Sequence, residues 1–77
     1  MRIEIYGPGC AKCQNTAAAV QKVVQEMGVA AEVIKVTEIE AMLDKGILKT
    51  PAVYIDGRKV IEGKVPAEAE IKQWLSG

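Results

Sequence analysis

The hydrophobic period changes from two residues to 3.6 across one short breaker, Gly7-Pro8-Gly9. Before it, Ile3 and Ile5 alternate with Glu4, which predicts a strand from Arg2 to Tyr6 with one buried face. After it, Cys13, Ala17, Val20, Val24 and Met27 recur on one face of a helix that opens near Cys10 or Ala11. Gly28 stops that helix, with Val29 placed to pack back on Val24. The β-branched run Ala30 to Val36 then predicts a second strand. A strand, a crossover helix and a strand in this order close with right-handed chirality, so the two strands are expected to be parallel neighbours in one sheet.

The rest of the chain completes that sheet. Thr37-Glu38-Ile39-Glu40 has the form of a capping box, with Thr37 as N-cap and Glu40 reaching back from the first turn. The short helix it predicts buries Ile39, Met42 and Leu43 and ends at Gly46. Pro51 to Ile55 and Arg58 to Glu62 read as two strands joined by Asp56-Gly57, the dipeptide that tolerates the two positive φ angles of a type I′ turn. The first of these two strands is expected to border the first strand of the chain. Pro66 suits the first turn of a final helix whose inner face is Ala67, Ile71, Trp74 and Leu75. The predicted order is β-α-β-α-β-β-α: an α/β fold with a four-stranded mixed sheet and helices on both faces.

Composition limits what such a fold does. At 77 residues the chain has room for one domain, residues 1–77. Ten basic and ten acidic side chains give a net charge of +0, so no electrostatic footprint for nucleic acid or an anionic membrane is expected. No apolar run approaches the roughly 18–20 residues that span a bilayer. Met1-Arg2-Ile3-Glu4-Ile5 has no signal-peptide core, so nothing suggests export; a cytoplasmic protein is expected, because a lone C-x-x-C in that compartment is catalytic more often than structural. The absence of histidine removes histidine-based dyads and histidine metal sites together.

Cys10 and Cys13 make a poor staple: a bridge between them closes a loop worth only about 2 kcal/mol before strain is subtracted. Buried free cysteines are common as small hydrophobes, but this pair lies in a glycine-rich loop and a helix start, not in an apolar run. A C-x-x-C on a first helical turn brings two sulfurs within bonding reach, and free N–H groups and the positive dipole end favour the thiolate of the first. Lowering a thiol pKa from about 8.5 to about 7 raises the thiolate fraction at neutral pH from about 3% to about 50%. Reduced intrinsic nucleophilicity leaves about a threefold kinetic gain, so the larger effect is on redox poise.

Tyr6-Gly7-Pro8-Gly9-Cys10-Ala11-Lys12-Cys13, together with Thr50-Pro51-Ala52 and the Asp56-Gly57 hairpin, resembles the thioredoxin/glutaredoxin superfamily. Within it the chain is most similar to the small "redox-active disulfide" proteins of archaea and bacteria, element by element along its length. The resemblance implies a minimal thioredoxin-like fold and a thiol–disulfide oxidoreductase that reduces or exchanges disulfides of partner proteins. It implies that Cys10 is the attacking thiolate and Cys13 the buried resolving thiol. It also implies that Pro51 is cis and faces the cysteines, leaving the Thr50 backbone free to pair with a bound peptide. The expected partners are protein disulfides and an upstream reductase; the chain is expected to act as a monomer, without cofactor or metal.

Gly9 stands where thioredoxins carry Trp, and Ala11-Lys12 replaces their Gly-Pro, so Ala11 and Lys12 are the residues that tune the potential. The superfamily spans about −270 to about −120 mV, so the dipeptide bears on the direction of electron flow. Lys12 either favours the Cys10 thiolate by charge or is a solvated first-turn lysine. Glu4 precedes Cys10 at the spacing at which thioredoxins place a buried acid; a half-exposed strand residue is favoured over a proton acceptor for Cys13. Gly63 either admits a peptide near the cysteines or, as favoured, ends the fourth strand. Tyr6 and Tyr54 are read as packing residues, and Ile47 and Leu48 as a candidate apolar rim.

An alternative from another class is a soft-metal chaperone or sensor, with Cu(I) held by Cys10 and Cys13. Heavy-metal-associated domains place C-x-x-C between a first strand and first helix, but their order is β-α-β-β-α-β and they have no Thr-Pro element. The helix at the end of this chain and Gly9 before the first cysteine weigh against it.

Overall fold

A computed structural model describes residues 1–76. Its elements are β1 (Arg2–Tyr6), α1 (Ala11–Met27), β2 (Glu32–Val36), α2 (Ile39–Asp44), β3 (Ala52–Ile55), β4 (Arg58–Glu62) and α3 (Glu68–Ser76). The sheet order is β2-β1-β3-β4, with β1 and β2 parallel and the β1–β3 and β3–β4 pairs antiparallel. The β-α-β-α-β-β-α order and the mixed sheet therefore follow the sequence pattern, and β3 borders β1 as expected.

Alternation along β1 divides the interior in two. Ile3 and Ile5 enter the larger core with Val20, Val23, Val53 and Ile71, under α1 and α3. Tyr6 points the other way and joins Met42, Ile47, Ala52 and Tyr54 under α2. Helices thus cover both faces, because each strand residue shows its side chain to only one of them. Both ends of the β3–β4 turn have positive φ, 50° at Asp56 and 84° at Gly57, as a type I′ turn requires. Asp56 also ties the turn to β1: its N–H donates to the Arg2 carbonyl, and its Oδ1 accepts the Arg2 N–H, each at 2.8 Å.

Several details differ from the pattern read in the sequence. The buried stripe of α1 is Cys13, Thr16, Ala17, Val20 and Val23; Val24 is half-buried and Met27 exposed. α1 packs on α3 as well as on the sheet, which turns Val23 inward. Thr16 can be buried because its hydroxyl donates to the Lys12 carbonyl at 2.8 Å. The helix does end as expected: the Gly28 and Val29 N–H groups donate to the Gln25 and Val24 carbonyls, the bond pair of a Schellman cap.

The expected capping box of α2 does not form. Glu38, not Thr37, is the N-cap, and no side chain caps it. The Gly7 N–H donates to the Val36 carbonyl at 2.9 Å, so extended backbone persists to the doorstep of Thr37 and the helix starts later. Only Met42 of the expected trio is buried; Ile39 and Leu43 are 66% and 69% exposed. A six-residue helix lying on a small aromatic cluster presents Met42 and, beside it, the small Ala41 to it, and leaves Ile39 and Leu43 in solvent. At α3, Pro66 lies ahead of the helix and Ala67 is exposed; the Ala67 N–H donates to Glu70 Oε1 at 3.1 Å, and the first helical bond is Ile71 N–H to the Ala67 carbonyl. The two intermediate strands start at Glu32 and Ala52, not at Ala30 and Pro51, the latter because proline has no N–H for the ladder.

A domain of this size has a total stability of about 5–15 kcal/mol at most, so single core residues matter. Ile71 is fully buried where α3 meets α1 and the sheet, and Ile71→Ala is expected to cost about 2–5 kcal/mol in urea unfolding. Leu43→Ala, at a residue the sequence pattern had placed inside, is expected to change stability by less than about 0.5 kcal/mol. A large loss at Leu43 would mean that α2 packs differently.

Candidate active site

β1 hands over to α1 within Gly7-Pro8-Gly9. Gly9 has φ 91°, a left-handed conformation open to glycine at little cost, and it turns the chain into the helix. Cys10 follows as the N-cap of α1 in an extended conformation, with no side chain occupying the cap. Its carbonyl accepts the Gln14 N–H at 2.9 Å, and Gln14 Nε2 donates to the Gly9 carbonyl at 2.9 Å, pinning the peptide in front of the cysteine. The uncapped N–H groups of the first turn are therefore available to the Cys10 sulfur.

The two sulfurs lie 3.0 Å apart as free thiols, Cys10 exposed and Cys13 buried. Their chemistry divides accordingly. Cys10 is held below the ordinary thiol range, mainly because the Cys13 thiol donates to it and next because the backbone N–H groups of Cys13 and Lys12 do so. Burial pushes the Cys13 thiol up, and holding its proton toward Cys10 pushes it further. Lys12 reaches the sulfur through its backbone N–H; its side chain is exposed on the first turn, as is Ala11.

The sulfur of Cys13 occupies space that a side chain at position 7 would fill. A Cβ on Gly7 would collide with Cys13 Sγ, would lie 3.0 Å from Cys13 Cβ, and would come within 3.9 Å of Thr50 Cβ. Gly7 reads in the sequence only as part of a breaker, yet the signal was present. By the two-residue period it continues the Ile3, Ile5 face toward α1, so a missing side chain there leaves a hole under the helix.

The same contact brings Thr50 beside the cysteine pair from a distant part of the chain. The Thr50-Pro51 peptide is cis, Pro51 is buried, and the Pro51 carbonyl accepts the Gly63 N–H at 2.8 Å. Among the described residues the Thr50 N–H and carbonyl have no hydrogen-bond partner within the chain. Glu62, which sequence reasoning did not single out, holds the preceding loop. Its Oε2 accepts the Leu48 and Lys49 N–H groups at 2.9 and 3.2 Å, and its Oε1 accepts from Lys59 Nζ at 2.7 Å. The Lys59 ammonium first, then the two backbone donors, lower its carboxyl to about 2. Only the β3–β4 register, which sets Glu62 opposite Ala52, brings it there.

Other sequence candidates fall elsewhere. Glu4 shares the Tyr6 and Tyr54 face, the opposite side of the sheet from Cys13, and lies 3.7 Å from Arg2, in keeping with a half-buried strand residue. Tyr6 and Tyr54 pack edge to face at 5.3 Å beneath α2, in keeping with a packing role. Ile47 is buried in that cluster, so the apolar rim reduces to Leu48, which is 90% exposed. The missing side chain of Gly63 makes room for Lys49, whose Cβ would lie 3.0 Å from a Cβ there.

Comparison with known proteins agrees with this geometry. The family profile described as "Thioredoxin domain" matches residues 1–76. A thioredoxin of Methanothermobacter thermautotrophicus is 40% identical over 76 residues, covering 99% of each chain. A thioredoxin of Methanocaldococcus jannaschii is 42% identical over 73 residues, 95% of this chain and 84% of that one. In fold, the chain is similar to thioredoxin 1 of the thermophilic eubacterium Thermosipho africanus, with a TM-score of 0.59 at 20% identity over 99% of this chain and 96% of the other. The soft-metal alternative is not favoured, since the family profile and both relatives are thioredoxins and the element order is β-α-β-α-β-β-α, not β-α-β-β-α-β. The chain belongs to the thioredoxin family of thiol–disulfide oxidoreductases and carries its C-x-x-C as Cys10-Ala11-Lys12-Cys13.

Proposed function

We propose that residues 1–77 act as one domain in which Cys10 is the attacking thiolate and Cys13 the resolving thiol. The observation that supports this reading is the asymmetry of the pair: an exposed sulfur favoured as thiolate, 3.0 Å from a buried sulfur that keeps its proton. The Cys10 thiolate attacks one sulfur of a partner's disulfide, forming a mixed disulfide and expelling the first partner thiolate, which takes a proton from water. Cys13 then attacks Cys10 Sγ; the Cys10–partner bond breaks, and the second partner thiolate leaves with the proton that Cys13 gives up. The partner is reduced by two electrons and the Cys10–Cys13 pair is oxidised to a disulfide.

The Thr50 backbone, with Pro51 behind it, is where an extended partner segment pairs while its disulfide is attacked. Leu48 adds an exposed apolar contact on the same loop. Partner protein disulfides and an upstream reductase complete the cycle, with no cofactor, and the protein works as a cytoplasmic monomer. Among the described residues, no helix is long and apolar enough to cross a membrane. Ala11 and Lys12 set the potential through the first turn. A reduction potential near −270 mV would mark a reductant, and one near −120 mV an oxidant.

Alkylation tests the assignment of roles. Iodoacetamide on the reduced protein should label Cys10 first, with a rate that rises through a midpoint below that of an ordinary thiol as pH increases. Cys13 should react only above the ordinary range, since burial raises its pKa and the thiolate is the reactive form. Faster labelling of Cys13 would exchange the roles. Cys10→Ser should abolish turnover and Cys13→Ser should accumulate mixed disulfides on denaturing gels; wild-type behaviour of the latter would require a single-thiol mechanism.

Gly7→Ala separates attack from resolution. The added Cβ meets Cys13 Sγ, so the overpacked site should lose about 1–3 kcal/mol of stability. Mixed disulfides should persist longer than in the wild type, while alkylation of exposed Cys10 stays within about twofold. Unchanged mixed-disulfide lifetime would show that Cys13 does not need the space at Gly7.

A further inference from the structure

The loop that delivers Thr50 has no regular secondary structure of its own. Ile47 is tied to α2 by its N–H to the Met42 carbonyl at 3.0 Å, and Pro51 is tied to β4 by the Gly63 N–H to its carbonyl at 2.8 Å. Leu48 and Lys49, between these anchors, direct their backbone N–H groups to one carboxylate oxygen of Glu62. The other oxygen takes the Lys59 ammonium, and Lys59 and Glu62 both belong to β4. Lys49 is fixed on a second side, where its aliphatic stem fills the space beside Gly63. A carboxylate accepting from two backbone amides and an ammonium makes charge-assisted bonds, the stronger class. The sheet edge therefore grips the loop immediately before Thr50 and immediately after it, while the Thr50 N–H and carbonyl stay unpaired among the described residues.

We infer that Glu62 is a positioning residue for partner binding: its carboxylate holds the Leu48 and Lys49 backbone so that Thr50 is presented in a fixed form to a partner segment. This rests on the pairing role proposed above for Thr50. Among the described residues the bonds of Glu62 go to Lys59 and to the Leu48 and Lys49 backbone, none to a sulfur, so it acts on the capture of a peptide and leaves the sulfur chemistry alone. A loop ordered before binding does not have to be ordered by the partner, and that saving appears in affinity. A small disulfide without a peptide backbone has nothing to pair with Thr50 and is indifferent to Glu62.

The experiment compares two oxidants in single-turnover oxidation of the pre-reduced protein, followed by quenched thiol counting. Insulin supplies a disulfide in a peptide chain, and 5,5′-dithiobis(2-nitrobenzoic acid) supplies one without. For Glu62→Ala, the insulin concentration giving half the limiting rate should rise about tenfold, equivalent to about 1.4 kcal/mol. The limiting rate and the rate with the small disulfide should stay within about twofold of wild type. Glu62→Gln keeps an acceptor oxygen and should fall between the two, which also serves if the alanine variant folds poorly. Amide hydrogen exchange should show Leu48 and Lys49 losing protection in Glu62→Ala. An unchanged half-saturating insulin concentration, or an equal fall with both oxidants, overturns the inference.

The Thr50 reading is checked separately on the Cys13→Ser mixed disulfide with a cysteine peptide, where the Thr50 amide should gain protection. Protection there with insulin kinetics insensitive to Glu62 removes the positioning role alone. Absence of protection removes the pairing role and the inference with it.

Discussion

The carboxyl end of β1 meets several demands within Gly7-Pro8-Gly9. It stays in the sheet at Gly7, through the bond to the Val36 carbonyl, leaves room there for the Cys13 sulfur, and turns at Gly9 into α1. Each demand excludes a side chain for a different reason: volume at Gly7, backbone conformation at Gly9. Because β1 lies between β2 and β3, its end is held on both sides, and the start of α1 inherits that rigidity. The sulfur geometry is therefore set by a central strand of the sheet, not by the loop that carries the first cysteine.

Two identical side chains acquire different chemistry from that placement. Cys10 sits at the helix start in solvent, where backbone N–H groups and the Cys13 thiol stabilise its anion; Cys13 sits one turn further, where burial penalises the anion. The kinetic benefit of a lower pKa is partly cancelled, because a more stable thiolate is also a weaker nucleophile. What the asymmetry chiefly supplies is order: one sulfur open to a partner, the other reserved for the intramolecular step. Glu4 stands apart from this division, since it faces the tyrosines across the sheet.

The opposite wall of the site depends on long-range bonds. Thr50 stands beside Gly7 because β3 pairs with β1, and the loop before it keeps its shape because β4 carries Glu62 and Gly63 to it. The small α2 contributes little there beyond Met42 and the anchor for Ile47; its Ile39 and Leu43 remain in solvent.

Local pattern sufficed for much of this molecule. The change of period at the breaker, the Asp56-Gly57 turn and the Gly28 stop are properties of neighbouring residues, so the element order, the parallel β1–β2 pair and the place of Cys10 and Cys13 on a helix start were legible in the sequence. The roles expected of Thr50 and Pro51 came from family resemblance, since nothing local brings them to the cysteines. What periodicity could not decide was the turn of α1 by about one position toward Val23, the failure of the Thr37 cap and the exposure of Ile39 and Leu43, each settled by how much partner surface a helix finds. The space at Gly7 and the hold of Glu62 on Leu48 and Lys49 were decided only by tertiary structure. Both are contacts between residues far apart in the chain, and their distances depend on strand register and helix placement together, which a one-dimensional pattern does not encode.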